Sequence, residues 1–361
     1  MSYPPHEYPG YGPPAPPPPP PGYPYPPAPY PPYGGWPPPP GPVGYASPYG
    51  YPPYGYWPMP PPPRPARVWT VFVMFAAVMV TLLVVQIGAV LALLAMDGGR
   101  AAGVDDFERR VEALVMRPEV YIPLFGLTFL IVGGSAVAGA LLSPVRFKER
   151  LELGTPGVRW WRVVAMTVGT VACTWVVMSL ISLIPMGEGG TLKAFEDMID
   201  GARGWVLVGL IAFVGLIGPF AEELLFRGYI QTRLVRRMGP VGAIAITSVF
   251  FGILHMDVVQ STYAALMGVF LGYIAYTSGS IWPAFYGHAA NNTASVLLTA
   301  FDVGGSGEPT TTAQTLTLAA IAAGVLVVCL LVIAVGRKRG EAVTTPAAPQ
   351  SPYDPAYARG W

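Results

Sequence analysis

The sequence predicts an all-α membrane protein of about eight transmembrane helices behind a disordered Pro/Tyr/Gly-rich N-terminal tail. Three observations carry this. The 361 residues are 52% hydrophobic and only 11% charged, against about 25% charged in an ordinary soluble domain. Apolar runs of about 20 residues, long enough to cross a bilayer as helices, recur from residue 68 onward. Residues 1–66 hold 31 of the 44 prolines and 12 of the 20 tyrosines and contain no Leu, Ile or Phe, so they cannot bury enough apolar surface to offset chain entropy.

The chain divides accordingly. Residues 1–66 form the tail, 67–336 a polytopic membrane domain and 337–361 a short C-terminal tail. Proline runs favour polyproline II. The N-terminal tail is either an inert spacer or a docking segment whose partners are unknown. It is proline-rich rather than basic and then apolar, so no secretory signal peptide is expected. Eight spans are predicted: Val68–Met96, Val120–Leu142, Val163–Pro185, a fourth starting at Gly204, Pro240–Met256, Val258–Ser278, Ile281–Phe301 and Ala313–Gly336. The fourth runs without a loop signal to Met238, longer than a bilayer is thick.

Arginine and lysine set the orientation. Arg64 and Arg67 precede the first span. Arg146, Lys148, Arg150, Arg159 and Arg162 fill the second connection. Arg233, Arg236 and Arg237 end the fourth span, and Arg337-Lys338-Arg339 follow the eighth. With eight spans these fall on one side, so both termini are expected in the cytoplasm. The protein is expected to be an integral, multi-pass protein, in the plasma membrane if the source is bacterial. The opposite loops lean acidic, although 97–119 also holds four arginines. A net charge of +1 argues against a nucleic-acid partner. Cys173 and Cys329 lie in apolar runs and are expected as buried thiols.

Ionisable groups inside a membrane span are costly and mark sites. The fourth span carries Phe220-Ala221-Glu222-Glu223-Leu224-Leu225-Phe226-Arg227. Glu223 and Arg227 stand four residues apart and pair on one helix face. Glu222 points elsewhere and is left over. Gly218-Pro219 precedes it, and the proline is expected to kink the helix beside it. Two of the three histidines also fall in apolar runs: His255, four residues after Phe251, and His288, four residues before Asn292. Counting from the basic side, Glu222 and His255 lie at similar depth on adjacent antiparallel spans.

These residues resemble the CPBP family of CaaX prenyl proteases and bacteriocin-processing (Abi) enzymes. Its motifs E-E-x-x-x-R, F-x-x-x-H and H-x-x-x-N read here as Glu222-Glu223…Arg227, Phe251…His255 and His288…Asn292. The resemblance covers about residues 160–305. It implies an intramembrane endopeptidase acting on a membrane protein or peptide. Glu222 would activate water, His255 and His288 would assist, and Asn292 would donate to the oxyanion. Glu223, Arg227 and Phe251 would support them. Glu222, His255 and His288 are also compatible with a zinc set completed by water, so a metal stays open. No H-E-x-x-H occurs. Two other classes stay open too: a catalytically silent scaffold or immunity protein of the same fold, and an ion-coupled transporter using the same glutamates and histidines. A rhomboid-type serine protease is disfavoured, since Gly133-Gly134-Ser135 falls in a small-residue packing stretch.

Overall fold

The computed structural model describes residues 68–98, 103–143, 145–184, 196–303 and 311–335. The expected tails, 1–66 and 337–361, lie outside the described residues. The described chain is helical, and no strand occurs among its residues. In order the helices are α1 (Trp69–Asp97), α2 (Val104–Val115), α3 (Pro118–Leu141), α4 (Phe147–Arg150) and α5 (Trp160–Ile181). The fourth span follows as α6 (Gly204–Leu210), a π-helical stretch π1 (Ile211–Ile217), α7 (Gly218–Glu223) and a second stretch π2 (Leu224–Gln231). Then come α8 (Thr232–Ile253), α9 (Val258–Ser278), α10 (Trp282–Ala300) and α11 (Thr312–Val335).

Each of the eight predicted spans is helical, with ends shifted by a few residues. Six helices among the described residues are long and apolar enough to cross a membrane. The difference in number has two causes. One of the six is the 50-residue stretch Gly204–Ile253. It is broken where expected, at Gly239-Pro240: Gly239 takes φ 78° and ψ 175°, a left-handed conformation open to glycine. It therefore counts as two spans. The other cause is α10, whose His288, Asn291 and Asn292 dilute its hydropathy. An amphipathic helix, α2, occupies the connection read from the sequence as a loop, and Arg110 on it pairs with Asp97 at the end of α1.

The outer helices show why the chain needs a bilayer. Val73, Val80, Val84 and Leu91 of α1, and Ile321, Val328 and Leu331 of α11, are exposed. A contiguous apolar surface of this kind in water would be an association liability; in lipid it is the solvent-matched face.

Inside, α3 and α10 flank the fourth span, and α9 packs against α8. Glycines also allow close approach of π2 to the connection after α4, and of α10 to α5. A Cβ on Gly228 would sit 3.0 Å from the Leu151 carbonyl oxygen, and one on Gly287 would sit 2.3 Å from Thr170 Oγ1. The connection before α5 is strapped across the α9–α10 turn. Gly157 N–H donates to Ser278 O at 2.8 Å, Ile281 N–H to Glu152 O at 3.1 Å and Trp282 Nε1–H to Leu153 O at 3.2 Å. These bonds set the height at which α10 enters the bundle, and hence the depth of His288, six residues further on.

Gly287→Ala should lower thermal stability by about 1–3 kcal/mol, the usual cost of overpacking. Thr170→Ala in that background should restore part of it, because the clashing hydroxyl is gone. Thermal unfolding in detergent checks this; equal melting of wild type and Gly287→Ala would mean that the α5–α10 contact is looser than described.

Candidate active site

The site begins with the pair foreseen from spacing. Arg227 Nη1 donates to Glu223 Oε1 at 3.0 Å, and both side chains are wholly buried. Arg227 also reaches across to α9, donating through Nη2 to Gly268 O at 3.2 Å. Its guanidinium carbon stands 4.6 Å from the centre of the Phe251 ring. One turn on, Gln231 repeats the reach, with Nε2–H donating to Gly272 O at 2.9 Å. A buried guanidinium needs such partners, although Arg227 Nε, Glu223 Oε2 and Gln231 Oε1 are buried without one among the described residues.

His288 of α10 joins the same carboxylate. Its Nδ1 lies 3.0 Å from Glu223 Oε1. An ionised carboxylate only accepts, so Nδ1 carries the proton. That leaves Nε2 with its lone pair when the ring is neutral. Nε2 faces Glu222 Oε2 at 3.6 Å. Two acceptors thus oppose each other across a gap slightly longer than a hydrogen bond. Glu222 is buried on its helix but keeps a side-chain exposure of 11%.

His255 sits on the turn just after α8, not within the helix as the span reading had it. Its Nδ1 is 2.9 Å from Phe251 O, so Nδ1–H donates and Nε2 is the free nitrogen. Among the described residues no hydrogen bond or ion pair links His255 to Glu222 or His288. The Phe251 ring connects them instead, edge-on to His255 at 5.2 Å and to His288 at 5.7 Å. This is a physical use for the phenylalanine of the second motif.

The proline takes effect in an unexpected form. The helix ahead of Pro219 widens into π1. Pro219 has no N–H for the carbonyls of Gly215 and Val214, four and five residues back. Side chains of α10 supply donors instead: Asn292 Nδ2 to Val214 O at 3.2 Å, and Thr293 Oγ1 to Gly215 O at 3.4 Å. Asn292 Oδ1 accepts from Asn291 Nδ2 at 3.2 Å, and Asn291 Nδ2 also donates to the Tyr263 hydroxyl at 2.9 Å. Asn291, Thr293 and Tyr263 were missed by sequence reasoning. The adjacent pair Asn291-Asn292 within an apolar run was the available signal for one of them.

The metal set proposed from the sequence was Glu222, His255 and His288. Among the described residues no three His, Cys, Asp or Glu side chains come together as a metal-holding group. Zinc needs its donors converged at about 2.0–2.2 Å from one point, and these three residues do not present that arrangement. A cleft of about 390 Å3 elsewhere, lined by Glu112, Tyr121, Asp197 and Arg203 among others, shares no residue with the site.

Residues 204–294 match the family described as type II CAAX prenyl endopeptidase Rce1-like. A second similarity is to "Putative membrane peptidase YdiL" of Bacillus subtilis (strain 168), 28% identical over 111 residues. That alignment covers 31% of this chain and 43% of the relative, so the chain spans less than half the length of the curated relative it matches. No solved structure matches. The matched segment contains all three motifs, Glu222-Glu223…Arg227, Phe251…His255 and His288…Asn292.

The bonds from α10 to π1 make a testable unit. Asn292→Ala should cost about 1–3 kcal/mol by leaving the Val214 carbonyl unsatisfied in an apolar setting. Pro219→Ala should offset part of this, because alanine restores an N–H to the same helix. A double-mutant cycle on thermal stability reads the coupling, and strictly additive losses would break the link between Pro219 and Asn292.

Proposed function

On the premise of a CPBP core in residues 204–294, we propose that the protein is an intramembrane endopeptidase that hydrolyses peptide bonds of membrane-associated polypeptides. The observation that carries this reading is the opposition of two acceptors, Glu222 Oε2 and His288 Nε2, 3.6 Å apart. A water molecule is the simplest group that satisfies both, since it can donate one hydrogen to each. Catalytic hydrogen bonds are often long without substrate.

The steps follow from the chain's own groups. The water oxygen attacks the scissile carbonyl carbon while its proton passes to Glu222. The carbonyl oxygen becomes an oxyanion. Asn292 spends one amide hydrogen on Val214 and has a second to offer there, a neutral donor in a largely dry site. Collapse breaks the C–N bond, and Glu222 returns the proton to the departing amine. His288 is held in one tautomer by Glu223 and orients the water. In this reading His255, whose Nδ1 is spent on Phe251 O, assists through Nε2 by accepting a hydrogen bond from the water or the amine. Glu223, Arg227 and Phe251 fix these groups and take no proton. No step is routed through a metal. The basic loops and both termini are read as cytoplasmic from the arginine and lysine bias.

Glu222→Gln should abolish cleavage while leaving melting close to wild type, because Glu222 stands outside the Glu223–Arg227 pair. Peptides released from membranes carrying wild type but not the variant, identified by mass spectrometry, give the readout. Identical peptide sets would remove Glu222 from the chemistry.

Elemental analysis of the purified protein should find zinc well below stoichiometric. Stoichiometric zinc, lost together with activity in both His255→Ala and His288→Ala, would replace the metal-free reading.

A further inference from the structure

The motif chemistry leaves one group of charges unexplained. Arg150, at the end of α4, is only 7% exposed. Its guanidinium carbon lies 5.9 Å from the centre of the Tyr229 ring, and that of Arg233 lies 3.6 Å from the same ring. Arg236 stands three residues beyond Arg233. Arg150 Nε and Arg233 Nη1 are buried and have no hydrogen-bond partner in the protein. We propose that Arg150, Arg233 and Arg236 form a site for the phosphate of an anionic phospholipid headgroup at the basic boundary of the membrane domain.

Charge balance points to a missing anion. Among the described residues, the carboxylate facing this cluster is Glu152, opposite Arg236. Burial pushes Glu152 up to about 7, against the pull of Arg236, so it is an incomplete counter-charge at neutral pH. Glu149 is engaged elsewhere, with Arg146 at 3.6 Å. Arg150 itself is drawn down to about 9 by burial and then by Arg233 and Arg236. Cations crowded in this way, with Arg150 Nε and Arg233 Nη1 unspent, are what a doubly hydrogen-bonding phosphate relieves.

Topogenic arginines explain an exposed residue such as Arg146, whose side chain is 88% exposed. They do not explain a buried one. The level in the membrane selects the ligand. Tyr229 packs against Gly139, two residues before the end of α3. Trp69 and Trp160, exposed by 61% and 76%, start α1 and α5. Exposed tryptophans at helix ends mark the headgroup layer, and basic pockets between helices at that level suit anionic headgroups.

The test uses the full-length protein in detergent, with native mass spectrometry and thermal shift as readouts. The probes are phosphatidylglycerol, phosphatidylcholine and inorganic phosphate. Phosphatidylglycerol should bind and raise the melting temperature, and phosphatidylcholine should not. Affinity should fall about fivefold for each of Arg150→Gln, Arg233→Gln and Arg236→Gln, and Arg146→Gln should leave it unchanged. Arg236 is exposed, so its variant keeps the test valid if the buried variants fail to fold. Equal loss in Arg146→Gln, or no preference for phosphatidylglycerol over phosphatidylcholine, would overturn the site. A response to inorganic phosphate without lipid binding would overturn the headgroup as its source and leave a free-phosphate site.

Discussion

Everything in the core of this molecule hangs on one oxygen, Glu223 Oε1. It accepts from Arg227 at 3.0 Å and lies 3.0 Å from His288 Nδ1. A buried ion pair contributes little net stability against apolar residues of the same volume, yet removing one partner of such a pair costs about 3–5 kcal/mol. The arrangement therefore makes sense as a device for specification. It ties π2 to α10, fixes the histidine tautomer, and thereby decides that a lone pair faces Glu222. The two adjacent glutamates meet opposite nitrogens of one imidazole, Glu223 at Nδ1 and Glu222 at Nε2.

Arg227 extends the device to a third helix. Its bond to Gly268 O and its place over the Phe251 ring join α9 and the end of α8 to the same centre. Phe251 then carries the order outward, since its edge contacts reach both histidines. The site is a junction of four chain segments, none of which contains it alone.

The π-helical stretches on either side of Glu222-Glu223 belong to the same logic. π-Helical turns recur at functional sites, because a changed register re-aims side chains and frees carbonyls. In a bilayer a freed carbonyl must find a donor within the protein. Asn292 and Thr293 provide donors from α10, one turn beyond His288. The bonds that repair the proline's damage thus hold the histidine against the glutamates. Asn292 serves that repair with one of its two amide hydrogens.

Much of the protein was legible in its residues. The eight spans, the stop at Gly239-Pro240 and the Glu223–Arg227 pair follow from local rules: apolar run length, a glycine free to take positive φ, and four-residue spacing on a helix. The motif residues were singled out because charge in an apolar run is costly. What those rules could not reach is contact between segments distant in sequence. That Glu223 holds His288, 65 positions away, depends on how deep α10 enters the bundle, which the strap from the 145–159 connection decides. The π register around Pro219 depends on donors 78 positions away. By sequence Arg150, Arg233 and Arg236 read as topogenic charges; the burial of Arg150 beside Tyr229 depends on how α4 packs against the fourth span. Local sequence determined which helices form and which residues are anomalous in them; tertiary packing decided which anomalies meet, because hydrogen bonds and charges act over a few ångströms of space whatever their separation along the chain.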